Sequence, residues 1–200
     1  MSTHSKELLH FLAPGLVQRL RNALSTIQGR AQSEDDQGGV AKGEILAATK
    51  RAQEAVQVLR CVSEERGAVH VGLLLPRLVE VLAVPMGERG LTLAWQHSSK
   101  EPPARVNGTL LAETVVSGLK AIAEGLPAGF GGNVVVDLCA QGSEQVEILI
   151  ELVPGSGLLP FQVDLLSVQQ ELQKALSPHG GLVVLMGWKL SLHLPAVRAD

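Results

Sequence analysis

Gln18-Arg19-Leu20-Arg21-Asn22-Ala23-Leu24-Ser25-Thr26-Ile27-Gln28-Gly29 lies inside a longer apolar stripe near the start of the chain. Leu9, Leu12, Leu16, Leu20, Leu24, Ile27 and Ala31 recur at steps of three or four residues, which lays them along one face of a helix. Gln18 stands two residues before Leu20, about 200° around such a helix, and is expected to face solvent. Pro14 and Gly15 interrupt the pattern. Proline removes a backbone donor and clashes with the preceding turn, so the spacing predicts either a kink there or a helix that begins near Pro14.

Downstream, Ser33-Glu34-Asp35-Asp36-Gln37-Gly38-Gly39 is acidic, has no periodicity and is rich in turn formers, which predicts an exposed loop. Between Gly43 and Glu65, Ile45, Ala48, Ala52, Ala55, Leu59 and Val62 alternate steps of three and four, the spacing of a heptad seam. Two amphipathic helices joined by a short polar loop form an antiparallel hairpin that cannot cover its own apolar face. Either a second copy covers it, giving a dimeric four-helix bundle, or the rest of the chain does.

After Gly67 the pattern becomes helices mixed with period-two strands. Gly72 to Val84 reads as a Leu- and Val-rich helix stopped by Pro85 and Gly87, Leu91 to Trp95 as a strand, and Leu110 to Glu124 as a helix. Asn133 to Leu138 and Gln145 to Leu152 read as strands, the second placing Val146, Ile148, Ile150 and Leu152 opposite Glu147 and Glu151. Asp164 to Leu176 is a further predicted helix, and Leu182 to Met186 with Lys189 to Leu194 flank Gly187-Trp188, a two-residue hairpin turn. Helices on one face of a mixed sheet make an α+β sandwich. Charge changes at the same place, with nine Lys+Arg against eight Asp+Glu in residues 1–66 and eight against twelve in residues 67–200. Two domains are expected, 1–66 and 67–200.

Composition excludes several classes of function. The chain has 200 residues, 46% of them hydrophobic and 18% charged, which is too apolar for a disordered segment. Three Phe, two Trp and no Tyr, with a net charge of −3, argue against nucleic-acid binding, which needs stacking rings or a basic footprint. The cysteines, Cys61 and Cys139, form neither a disulfide framework nor a CxxC site. No signal peptide and no bilayer-length apolar run is visible, so no membrane association and a cytoplasmic location are expected. His70, His97 and His193 stand singly, and no metal site is expected. His179 precedes Gly180-Gly181 at a helix end, where a capping role is ordinary.

The stretch Gln18 to Gly29 resembles the phosphoacceptor box of sensor histidine kinases, with Leu20, Arg21, Asn22, Leu24, Ile27 and Gly29 agreeing with the family pattern. The remainder is similar to the family's ATP-binding GHKL fold at Gly155-Ser156-Gly157, His179-Gly180-Gly181 and the closing Leu194-Pro195-Ala196. The resemblance implies a dimerising helical hairpin followed by a GHKL-type α/β sandwich. It also shows what is missing. Gln18 takes the place of the acceptor histidine, and an amide nitrogen is a poor nucleophile toward phosphorus. Arg19 replaces the acidic neighbour and cannot accept a proton. Val153 replaces the adenine-reading aspartate, and the helix that would supply a metal-binding Asn has Ser117, Lys120 and Ala121 near the expected positions. The second phosphate-cradling box reads Phe161-Gln162-Val163-Asp164-Leu165-Leu166-Ser167, without glycine. Pro154 beside Gly155 and Gly157 favours an ordinary turn there.

The expectation is a catalytically degenerate histidine-kinase-like homodimer of a two-component pathway, acting as a regulator or scaffold and needing no cofactor. Gln18, Arg19, Arg21 and Asn22 would dock a response-regulator receiver domain or another histidine kinase, since a basic face suits an acidic receiver pocket. The alternative is a histidine phosphotransferase, with His10 as acceptor: it lies eight residues, about two turns, before Gln18.

Overall fold

The computed structural model describes residues 3–32, 38–63, 68–97, 103–126, 131–141, 144–154 and 165–197. Helix α1 (Thr3–Gln32) runs unbroken through Pro14. The helix therefore begins eleven residues earlier than a start at Pro14 would place it. Pro14 is exposed, so the His10 carbonyl that it leaves without an intrahelical donor lies on a side open to water. Helix α2 (Gly38–Ser63) begins inside the expected loop, taking in Gly38 and Gly39. Arg30 pairs with Glu44, and Arg19 approaches Glu54 at 4.0 Å, so residue numbers fall on one helix as they rise on the other. That register is the antiparallel hairpin.

The buried row of α1 keeps Leu12 and Leu16 of the expected stripe but takes Leu8 in place of Leu9 and Ala23 in place of Leu24. Leu8, Leu12, Leu16 and Ala23 are buried while Leu24 is 62% exposed. Spacing alone selects the larger of two neighbouring apolar residues; close helix packing selects the smaller, Ala23. On α2, Ala48, Ala55 and Val58 are buried. The leucines of α1 join Ala55 and Val58 in one hydrophobic core with the rest of the chain. Much of the hairpin's apolar face is thus covered from within.

Helix α3 (Val71–Gly87) continues through Pro76 and Pro85 and buries Leu74, Leu75, Leu78, Val81 and Leu82. Strand β1 (Leu91–His97) and β2 (Gly132–Gln141) pair in parallel, linked by the crossover helix α4 (Gly108–Glu124). Strand β3 (Gln145–Pro154), β4 (Leu182–Met186) and β5 (Lys189–Pro195) complete a mixed sheet of order β1-β2-β3-β5-β4. Its inner face is Val134, Val136 and Leu138 of β2, Ile148, Ile150 and Leu152 of β3, and Leu190 and Leu192 of β5, all buried. Helix α5 (Leu166–Leu176) and a 3-10 turn at Ser177–His179 lead into β4. Gly180 ends that turn at φ 74°, the left-handed cap for which His179-Gly180-Gly181 is suited. Gly187 has φ 61° between β4 and β5, and no non-glycine residue among those described has positive φ. The α+β sandwich expected from the sequence is the observed class. The expected boundary at residues 66 and 67 lies outside the described residues.

Candidate functional site

Two surfaces hold the residues singled out by sequence. The first is the middle of α1. Gln18, Arg21 and Asn22 are exposed, and the Gln18 amide donates to Asn22 Oδ1 at 3.4 Å, one turn along. Arg19 behaves otherwise. Its guanidinium pairs with Glu80 of α3 and lies 4.0 Å from Glu54 of α2, with its side chain 20% exposed. Arg19 therefore joins three helices and is not offered to solvent as the other three are. His10 is exposed on the same helix, two turns before Gln18.

The second surface is a cavity of about 470 Å³ between α1, α4 and α5. Its floor includes Leu8, Phe11 and Leu172, and its polar lining includes Glu113, Ser117 and Lys120 of α4 with Lys174 of α5. Ser117 and Lys120 line the same cavity. Ala121 does not line it; it packs half-buried against the core. The nearest asparagine, Asn107, caps α4 instead, its side-chain oxygen accepting from the Leu110 N–H at 2.7 Å. Thr114 is likewise spent locally, its hydroxyl donating to the Leu110 carbonyl at 2.7 Å.

Val153 is not brought to this cavity. It stands 41% exposed at the end of β3, opposite Asn133. Gly155, Gly157 and residues 161–164 lie outside the described residues. Among the described residues, no three His, Cys, Asp or Glu side chains converge as a metal site would require. His70 precedes α3, and His193 lies 3.9 Å from Glu147, which also accepts from the buried Ser191 hydroxyl.

Sequence reading missed the neighbours of Phe11. The Arg89 guanidinium and the Lys120 ammonium lie over its ring, 5.4 and 5.5 Å from the centroid. Those residues come from three separate elements, and no spacing rule joins them.

Solved structures similar in fold include histidine kinases and a bacterial phosphotransferase. A bacterial phosphotransferase aligns over 97% of both chains at 13% identity with a TM-score of 0.39. The Acinetobacter baumannii histidine kinase AdeS aligns over 90% of this chain and 98% of its own, at 14% identity and a TM-score of 0.44. The catalytic domain of histidine kinase ThkA covers 66% of this chain and 97% of its own, at 10% identity and a TM-score of 0.49. No family model matches the sequence, and no curated protein matches it. No helix among the described residues is long and apolar enough to cross a membrane.

Proposed function

We propose that this chain is a histidine-kinase-like protein of a two-component pathway that has lost catalysis and acts as a dimeric regulator or scaffold, binding partners through α1. The observation that carries this reading is the state of the acceptor position. Gln18 is exposed beside Arg21 and Asn22, accessible to a partner, yet it carries no nucleophile. Around the cavity the same reading is supported by Ser117 and Lys120 on α4, near the position where the family resemblance would put the Asn that binds magnesium.

Magnesium-ATP and a purified receiver domain test it together. Titration calorimetry is expected to show receiver binding, no nucleotide binding at millimolar concentration, and no phosphate on the chain. Micromolar nucleotide binding or ATP-dependent labelling would return the protein to the kinases.

One observation favours a second reading, the phosphotransferase. His10 is exposed on a helix that continues unbroken to Gln18, so an imidazole is available on the same rod. Acid-labile phosphate acquired from a phosphorylated receiver by the wild type but not by His10→Ala would establish it. Absence of that label leaves the regulator.

A further inference from the structure

We propose that the α1–α2 hairpin and the α/β layers are locked as one rigid body, so that the Gln18–Asn22 face is held at a fixed geometry relative to the α1–α4–α5 cavity. Four contacts around the hairpin carry this.

Gly15 is buried where α1 crosses α3, and a β-carbon there would overlap the Val81 carbonyl. At Gly108, at the start of α4, a β-carbon would likewise overlap the Cys61 carbonyl near the end of α2. Each helix of the hairpin therefore touches the α/β layer backbone to backbone, at a separation that only glycine allows. Such contacts leave no side-chain layer on which the two parts could slide.

The third contact is electrostatic. Arg19 reaches Glu80 of α3, and Arg77 of α3 donates to Gln57 of α2 at 2.6 Å. The fourth is two turns before Arg19, where Phe11 sits under Arg89, just before β1, and Lys120 of α4. Between Phe11 and Arg19, Leu12 and Leu16 of α1 are buried in the same core as Leu78 and Leu82 of α3. The contacts hold the half of the hairpin that carries Phe11 to Arg19 of α1 and Gln57 to Cys61 of α2, directly beside the Gln18–Asn22 face. A hinge would have to break all of them together.

The consequence bears on mechanism. A mobile domain can deliver a bound group by swinging on its linker; a locked one presents a surface that is ready at all times. Partner binding by α1 then requires no rearrangement, whoever the partner is, and this inference stands apart from the partner's identity.

Pulsed electron–electron resonance on the full chain tests it. Cys61→Ser and Cys139→Ser remove the native thiols, and Gln28→Cys on α1 with Gln170→Cys on α5 places two labels at exposed positions. A second pair, Thr92→Cys with Gln170→Cys, stays within the α/β layers. The expected result is one narrow distance for both pairs. Adding Gly15→Ala is expected to broaden the first pair at least twofold and leave the second narrow. Should Gly15→Ala unfold the chain, broadening both, the double variant Phe11→Ala with Arg19→Ala decides, again expected to broaden only the first pair. A broad or two-peaked first distance in the unsubstituted background overturns the proposal. So does a first distance that stays narrow in every variant that folds.

Discussion

Arg19 and Arg21 stand two residues apart on α1 and have different fates. Arg21 is exposed, whereas Arg19 is held by Glu80 and Glu54. Substituting them therefore separates docking from stability. Arg21→Glu is expected to weaken receiver binding at least about tenfold, a loss of about 1.4 kcal/mol, with the melting temperature unchanged. Arg19→Ala is expected to leave that affinity nearly unaltered and to lower stability by about 1 kcal/mol, since the pair is partly exposed and the arginine stem also packs. Calorimetry and thermal melts on the two variants check both halves. At this scale the sequence marked Gln18, Arg21 and Asn22 as surface residues correctly, because a helix period assigns faces. It could not give Arg19 its partners, which lie 35 and 61 residues away. Nor could periodicity choose Ala23 over Leu24 for burial: the 0% exposure of Leu12 follows from the stripe, but which of two adjacent apolar residues is buried depends on the packing partner. Leu12→Ala should cost about 2–5 kcal/mol in chemical denaturation, as expected where a fully buried leucine leaves a cavity.

Helix α5 does for β4 what a neighbouring strand would do. Strand β4 is at the edge of the sheet, and its outward backbone groups need partners. Gln173 accepts from the Val183 N–H at 2.7 Å and donates to the Gly181 carbonyl at 3.1 Å, while Gln169 donates to the Val183 carbonyl at 3.1 Å. Two side-chain amides stand in for a strand at Gly181 and Val183, the start of the edge. Gln169→Ala with Gln173→Ala is expected to lower stability by about 1–3 kcal/mol through unmet backbone groups. It should also produce concentration-dependent association, visible by sedimentation, which Leu182 and Met186, both exposed on β4, would reinforce. The strands themselves were legible because Val146, Ile148, Ile150 and Leu152 alternate cleanly and glycine marks the β4–β5 turn. Helix ends were less so. Pro14 read as a kink or a start and Pro85 as a stop, but both are accommodated inside helices whose packing outweighs the lost bond.

At the scale of the molecule, the hairpin has two apolar sides and the chain covers one. Leu8, Leu12, Leu16, Ala55 and Val58 face the common core. Val17 and Leu24 of α1 and Leu46 and Val56 of α2 remain 53–71% exposed. Val17 and Leu24 are seven residues apart, which puts them on one line along the helix. A second copy of this hairpin would offer the same line and cover it by two-fold symmetry, the commonest arrangement of paired chains. Of the two alternatives read from the sequence, coverage by the rest of the chain is the one observed, on the inner face; a dimer would cover the outer one. The composition could not distinguish them, because the heptad seam gives the spacing of apolar residues and not the identity of what they meet. Leu24→Glu separates the two faces experimentally. The substitution sits on the exposed side, so it should leave the core of each chain intact and lower the melt only through the lost association, a difference that grows with protein concentration. In light scattering the wild type is expected at the mass of two chains and Leu24→Glu at one, because opposed carboxylates at a two-fold axis repel and are costly to bury. A wild-type mass of one chain would remove the dimer and leave α1's outer face to the partner alone.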